Sequence, residues 1–151
     1  MTPEQVTMVQ SSFQKVAPIA DKAADIFYDR LFEVAPEVRP MFAADMTRQK
    51  EVLMQTLGTA VQNLHQVEKI LPVVKDLGVK HLGYGVKDEH YDIVGGALLF
   101  TLEKGLGDDW NDELKTAWAE TYGTVAGVMK EAAAEAASTP NKKGFLARMF
   151  G

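Results

Sequence analysis

The chain holds no cysteine and three histidines, His65, His81 and His90, so imidazole must hold any bound metal. The missing thiols remove disulfides, thiolate nucleophiles, zinc fingers and iron–sulfur clusters in one step. His81 follows Val74 and Leu77 on an apolar helical face. Two further polar residues stand on or beside apolar faces: Gln49, ahead of Leu53, Thr56, Ala60 and Leu64, and Tyr28, next to Phe27. If one cavity gathers them, it gains a metal-binding nitrogen, a hydroxyl and a carboxamide. Each alone has a structural explanation, since most histidines on apolar faces are satisfied in the core, buried tyrosines bond to backbone, and a glutamine in a first turn caps it. Their combination with a proline-bounded corner ending in Phe42 is what points to chemistry.

The elements that must position these groups all read as helices. Thr2-Pro3-Glu4-Gln5 has a capping threonine, proline at the first helical position and glutamine three residues after the cap, and Val6, Val9, Phe13 and Val16 follow at helical spacing. A second helix is expected from about Pro18 to Val34 and must stop before Pro36 and Pro40. A third spans about Thr47 to Leu64. A fourth, about Pro72 to Leu82, meets its stop at Gly83 and Gly85, which puts His81 in its last turn. The fifth, opened by Asp88, carries Tyr91, Val94, Leu98 and Leu102 on one face and Ile93, Ala97 and Phe100 on another, so it should be covered on both sides. The sixth, capped near Asn111, aligns Leu114, Trp118, Tyr122, Val125 and Met129. No segment alternates with period two over strand length, and the expected class is all-α with about six long helices.

At 151 residues, 46% of them hydrophobic, one domain of this size buries a core without metal or disulfide staples, so a cofactor would serve chemistry rather than folding. The net charge of −5 argues against nucleic acid as the main partner. The first residues have neither the basic nor the apolar region of a secretion signal, and Ile93–Leu102, the most apolar stretch, is half the roughly 20 residues of a membrane span. A cytoplasmic protein is expected.

Taken in order, Pro36-Glu-Val-Arg-Pro-Met-Phe42, Val79-Lys-His81, Gly85-Val86, His90-Tyr91-Asp-Ile-Val-Gly95, Ala117-Trp118 and Tyr122-Gly123 make the chain resemble a globin. It is most similar to single-domain bacterial haemoglobins and to the haem domain of flavohaemoglobins, over about residues 4 to 131. The resemblance implies a globin domain over 1–137 and haem b as cofactor. His81 matches the proximal iron ligand, and Phe42 the corner phenylalanine stacked on haem. Tyr28 and Gln49 match the distal donors, with Leu53 one turn beyond Gln49. Leu77, Val86, Tyr91, Val94 and Leu98 match pocket positions, and Lys80 is placed to reach a propionate. Flavohaemoglobins pair the proximal histidine with a tyrosine and a glutamate. Tyr91 fits the first, but Ala133 stands where the glutamate belongs, and Glu131 and Glu135, two residues to either side, are turned about 200° away.

The implied function is reversible binding of O2, NO and CO and, given electrons from a separate reductase, conversion of nitric oxide to nitrate. The chain has no room for flavin and nicotinamide domains and no G-x-G-x-x-G fingerprint. An oxygen store or carrier, a peroxide-handling enzyme and a gas sensor remain open, as does a monomer or a dimer. A reading from another class is a haem-free helical domain that takes an apolar ligand or partner helix in a groove of Met41, Met46 and Met54. His65 reads as a solvated histidine at a helix end and His90 as exposed, neither being assigned to iron. All 21 acidic residues precede Ser138. The basic tail 138–151 reads as disordered, or as a short amphipathic segment with Phe145, Leu146, Met149 and Phe150 on one face, touching a membrane weakly through 142–150.

Overall fold

The computed structural model describes residues 1–83 and 85–138. Among them are six helices and no strand: α1 Pro3–Val16, α2 Ala20–Val34, α3 Thr47–Gln62, α4 Val67–Gly83, α5 Asp88–Leu106 and α6 Asp112–Ser138. The all-α expectation holds. Apart from Ser138, the last residue of α6, the tail expected from residue 138 onward lies outside the described residues.

The capping signals act as their chemistry dictates. Gln5 N–H donates to Thr2 Oγ1 at 3.1 Å and Thr2 N–H to Gln5 Oε1 at 2.9 Å, closing the reciprocal cap of α1. Leu114 N–H donates to Asn111 Oδ1 at 2.9 Å and opens α6. Four boundaries differ from the sequence expectation, the slightest being that α3 ends at Gln62 and leaves Leu64 to a 3-10 turn, Leu64–Gln66. Pro18 lies in a 3-10 turn, Ala17–Ile19, and α2 begins only at Ala20. Helix α4 begins at Val67, five residues before Pro72, because the N–H that Pro72 lacks removes a bond only to the first turn, around the exposed Glu68. At α5 the cap is Lys87 rather than Asp88, and Lys87 N–H donates to His90 Nδ1 at 3.0 Å.

Helix α4 lies against α6, α2 against α5, α1 across α6, and α3 beside α2. The α4–α6 crossing is set by Gly78: a Cβ there would overlap the Met129 backbone carbonyl, so only glycine lets the backbones approach this closely. Covering on both sides of α5 is realised, with Tyr91, Ala97, Leu98 and Leu102 buried and the half-buried Phe100 ring under the Arg30 guanidinium at 4.5 Å. The buried side chains form two groups. The larger one joins α1, α2, α5 and α6 around the fully buried Trp118, whose Nε1–H donates to Ser12 Oγ at 2.9 Å. The smaller one joins Ile70 and Val74 of α4 to Tyr91, Ala126 and Met129. No helix among the described residues is long and apolar enough to cross a membrane.

Candidate functional site

A cavity of about 340 Å³ runs between α3 and α4 and back into the body of the molecule. Ligand pockets occupy roughly 300–1,000 Å³, and this one has their mostly apolar wall. Phe42, Gln49, Leu53, Leu77, His81, Val86, Tyr91, Val94 and Leu98, all named from sequence, line it together. Tyr28 and Lys80 do not. Lys80 instead pairs with Asp76 one turn back, Nζ to Oδ2 at 3.1 Å.

The end of α4 fixes His81. Gly85 takes φ +84°, a left-handed conformation that glycine adopts freely. Gly85 N–H donates to Leu82 O at 3.1 Å and Val86 N–H to His81 O at 3.0 Å, the two bonds of a Schellman cap. The helix therefore stops within a turn of His81, and the chain brings Val86 to the cavity wall. His81 Nδ1 lies 2.6 Å from Leu77 O. A carbonyl oxygen can only accept, so Nδ1 carries the proton and the ring's lone pair is on Nε2, the tautomer that metal binding requires.

Gln49 Nε2–H donates to the Tyr28 hydroxyl at 3.1 Å, joining α3 to α2. Tyr28 stands behind the wall among Phe27, Phe32 and Phe42, whose ring centroids lie 4.9, 5.9 and 5.7 Å from its own. Burial pushes the Tyr28 hydroxyl above the usual tyrosine range, with the Gln49 bond a smaller opposing effect. The hydroxyl thus stays protonated at neutral pH, accepts from Gln49 and keeps its own proton to give.

Arg39 organises the corner that carries Phe42. Its Nη1 donates to Phe42 O at 3.3 Å and Ala43 O at 3.0 Å, and its Nη2 to Ala44 O at 3.2 Å, while the guanidinium lies 5.1 Å from the Phe32 ring centre. Three carbonyls beyond the 3-10 turn Pro36–Met41 are thereby satisfied by one side chain. The sequence reading missed this role; the signal was an arginine between two prolines, where helical donors run out.

Tyr91 is buried, its ring centroid 6.3 Å from that of His81, and its hydroxyl has no hydrogen-bond partner among the described residues. Burial first, and then Asp88, pushes its titration upward. Tyr122 donates to Tyr91 O at 2.5 Å. Ala133 occupies α6 with only a methyl group to offer.

His65 is exposed, as read from sequence, whereas His90, also expected to be exposed, is half-buried and lines the cavity. Of the three methionines considered for a groove, Met41 lines the cavity and Met46 and Met54 do not. Phe27, Leu31, Val61 and Trp118, buried side chains that also line the cavity, were not singled out as pocket residues from sequence. The described residues contain no cluster of three or more His, Asp or Glu that would cage a metal ion. A mostly apolar cavity with the His81 imidazole in its wall suits a metal that arrives in a flat macrocycle with its other ligands already in place. The residues present fit haem.

Comparison with known proteins gives a consistent picture. The family model described as Globin matches residues 25–129. A flavohemoprotein of Bacillus subtilis is 41% identical over 105 residues, which are 66% of this chain and 26% of that protein. The chain thus spans about a quarter of the flavohemoprotein's length. An anaerobic nitrite reductase of Oryza sativa is 30% identical over 139 residues, 88% of this chain and 96% of the relative. The structure of a bacterial globin from Campylobacter jejuni superposes with a TM-score of 0.81 at 26% identity, covering 91% of this chain and all of that one.

Proposed function

The chain belongs to the globin family, and from that premise we propose that its cavity holds haem b, with His81 as the protein's iron ligand and Gln49 and Tyr28 as donors to a bound diatomic. The observation that carries this reading is His81 itself, which lines a cavity of cofactor size and whose Nδ1, 2.6 Å from Leu77 O, is held by the backbone so that Nε2 is the nitrogen suited to a metal. When bound, haem supplies an iron that takes up O2, NO and CO. The chain's own residues do the rest. Phe42, Leu53, Leu77, Val86, Val94 and Leu98 exclude water and offer apolar surface to the macrocycle. The Gln49 carboxamide and the Tyr28 hydroxyl favour a ligand carrying partial negative charge. A hydrogen bond of that character is worth roughly 1.5–3 kcal/mol, about ten- to a hundredfold in affinity.

Such a site supports nitric oxide dioxygenation, in which NO, O2 and one electron give nitrate. The electron comes from a separate reductase, and the setting is the cytoplasm. The flavohemoprotein relatives are about four times the matched length, which supports a reductase as the partner. Absorption spectra of the purified protein, oxidised, reduced and reduced with CO, test the haem reading: a strong Soret band that shifts with CO is expected, and His81→Ala should lose stable haem. An unchanged haem content in that variant overturns the assignment. Mixing the oxygenated protein with NO should give nitrate in one turnover, and repeated turnover should need an added reductase. Oxygen binding without nitrate formation would assign the chain to storage or delivery. Nitrite is a second nitrogen oxide to try, given the name of the rice relative.

A further inference from the structure

A haem brings two carboxylates as well as an iron, and the wall that would receive it contains no lysine or arginine among the described residues. Lys80, the cation nearest the iron ligand in sequence, is outside the wall and tied to Asp76. Several polar groups of the wall are committed, one Gln49 N–H to Tyr28, His81 Nδ1 to Leu77 O, Thr121 to Ala117 O and Tyr122 to Tyr91 O, and the Tyr91 hydroxyl, without a partner among the described residues, is buried. His90 differs. It is half-buried, with the ring in the wall, and it sits in the first turn of α5 beside exposed Lys87, Asp88 and Glu89. Its Nδ1 accepts from Lys87 N–H at 3.0 Å, which fixes the neutral tautomer with the proton on Nε2. That tautomer has no lone pair for iron and one N–H to donate. Because the bond to Lys87 is part of the α5 cap, the ring is held in place before any ligand arrives.

We infer that His90 is a carboxylate anchor of this cavity, donating its Nε2–H to a propionate of the bound haem. The inference rests on the haem reading above and gives the second ring nitrogen a role beside the part that Nδ1 plays in the α5 cap. Neutral donation suffices, so no titration of His90 is required. The anchor retards escape of the cofactor rather than tuning the iron.

The test measures transfer of haem from the protein to an excess of a haem-scavenging apoprotein. His90→Leu should release haem about fivefold faster or more, as expected for loss of one hydrogen bond to a charged group at a half-exposed position. His90→Gln, which keeps a donor, should stay near the parent. A second arm reconstitutes each protein with the dimethyl ester of haem, whose carboxylates are blocked, and there the parent and His90→Leu should release at the same rate. Equal release of unmodified haem by parent and His90→Leu overturns the proposal. So does an equal ratio with the ester, because the histidine would then be acting only on the cap of α5. If Lys80→Met abolishes the ester-sensitive difference and His90→Leu does not, the anchor is Lys80. If the parent takes up no haem and shows no Soret band, the haem reading itself has failed, a result distinct from each of these.

Discussion

Gln49 spends one amide N–H on Tyr28 and has a second to offer the cavity, so the two side chains act as a unit. Gln49→Leu leaves the buried tyrosine hydroxyl without its partner and should cost about 1–3 kcal/mol, read from the urea midpoint. Tyr28→Phe removes only the acceptor and should cost less. Both should speed O2 dissociation, by about tenfold for a bond of charged character, with CO affected less. Because they share one bond, the double variant should fall short of the sum in both measurements, and strict additivity would show that they act separately. Burial also raises the titration of Tyr28, Tyr91 and Tyr122 above that of an unfolded tyrosine. The folded state therefore holds these protons more tightly, and the stability they preserve is complete below about pH 10 and lost as pH rises past it. An ultraviolet tyrosinate titration should find these three ionising together with alkaline unfolding. Gln49 was legible in the sequence because a polar residue broke an apolar stripe. Arg39 was not, because its partners are the carbonyls of Phe42, Ala43 and Ala44, which no side-chain pattern records.

Helix α4 carries His81, the proposed iron ligand, and its placement depends on a contact far away in sequence. Gly78, one turn before His81, has Met129 backbone where a side chain would go. Gly78→Ala should destabilise by about 1–3 kcal/mol or more and weaken haem retention, since α4 must shift to admit the methyl group. Gly96→Ala makes a control, because a Cβ there meets nothing within 4 Å. It should stabilise by roughly 0.8–1 kcal/mol through helix propensity, and calorimetry of both variants with and without haem separates the two effects. The helices were legible wherever a cap or stop has a side-chain signature, as at Thr2, Asn111 and Gly85. The start of α4 was not, since Pro72 reads as a beginning and the structure tolerates it inside the helix. Nor was the need for glycine at 78, because Met129 lies 51 residues away.

In the molecule as a whole, the buried side chains divide into a large group and a small one, and the cavity borders both. The buried apolar side chains of α4, Ile70 and Val74, belong to the small group. From this division we expect α4 of the cofactor-free chain to open before the packing around Trp118 dissolves, as a second and weaker cooperative unit. Amide hydrogens from Val67 to Gly83 should then exchange with solvent well ahead of those of α1 and α5, and heating should give an early, shallow transition before the main one. A ligand that contacts both groups and binds only when α4 is in place stabilises the weaker unit by mass action and joins it to the stronger. With haem bound, the exchange rates of α4 and α5 should converge and the two transitions merge. Equal protection of α4 and α1 in the cofactor-free chain would show that the two groups already unfold as one. On this expectation the wall of the proposed haem cavity is also the seam along which the cofactor-free protein opens first.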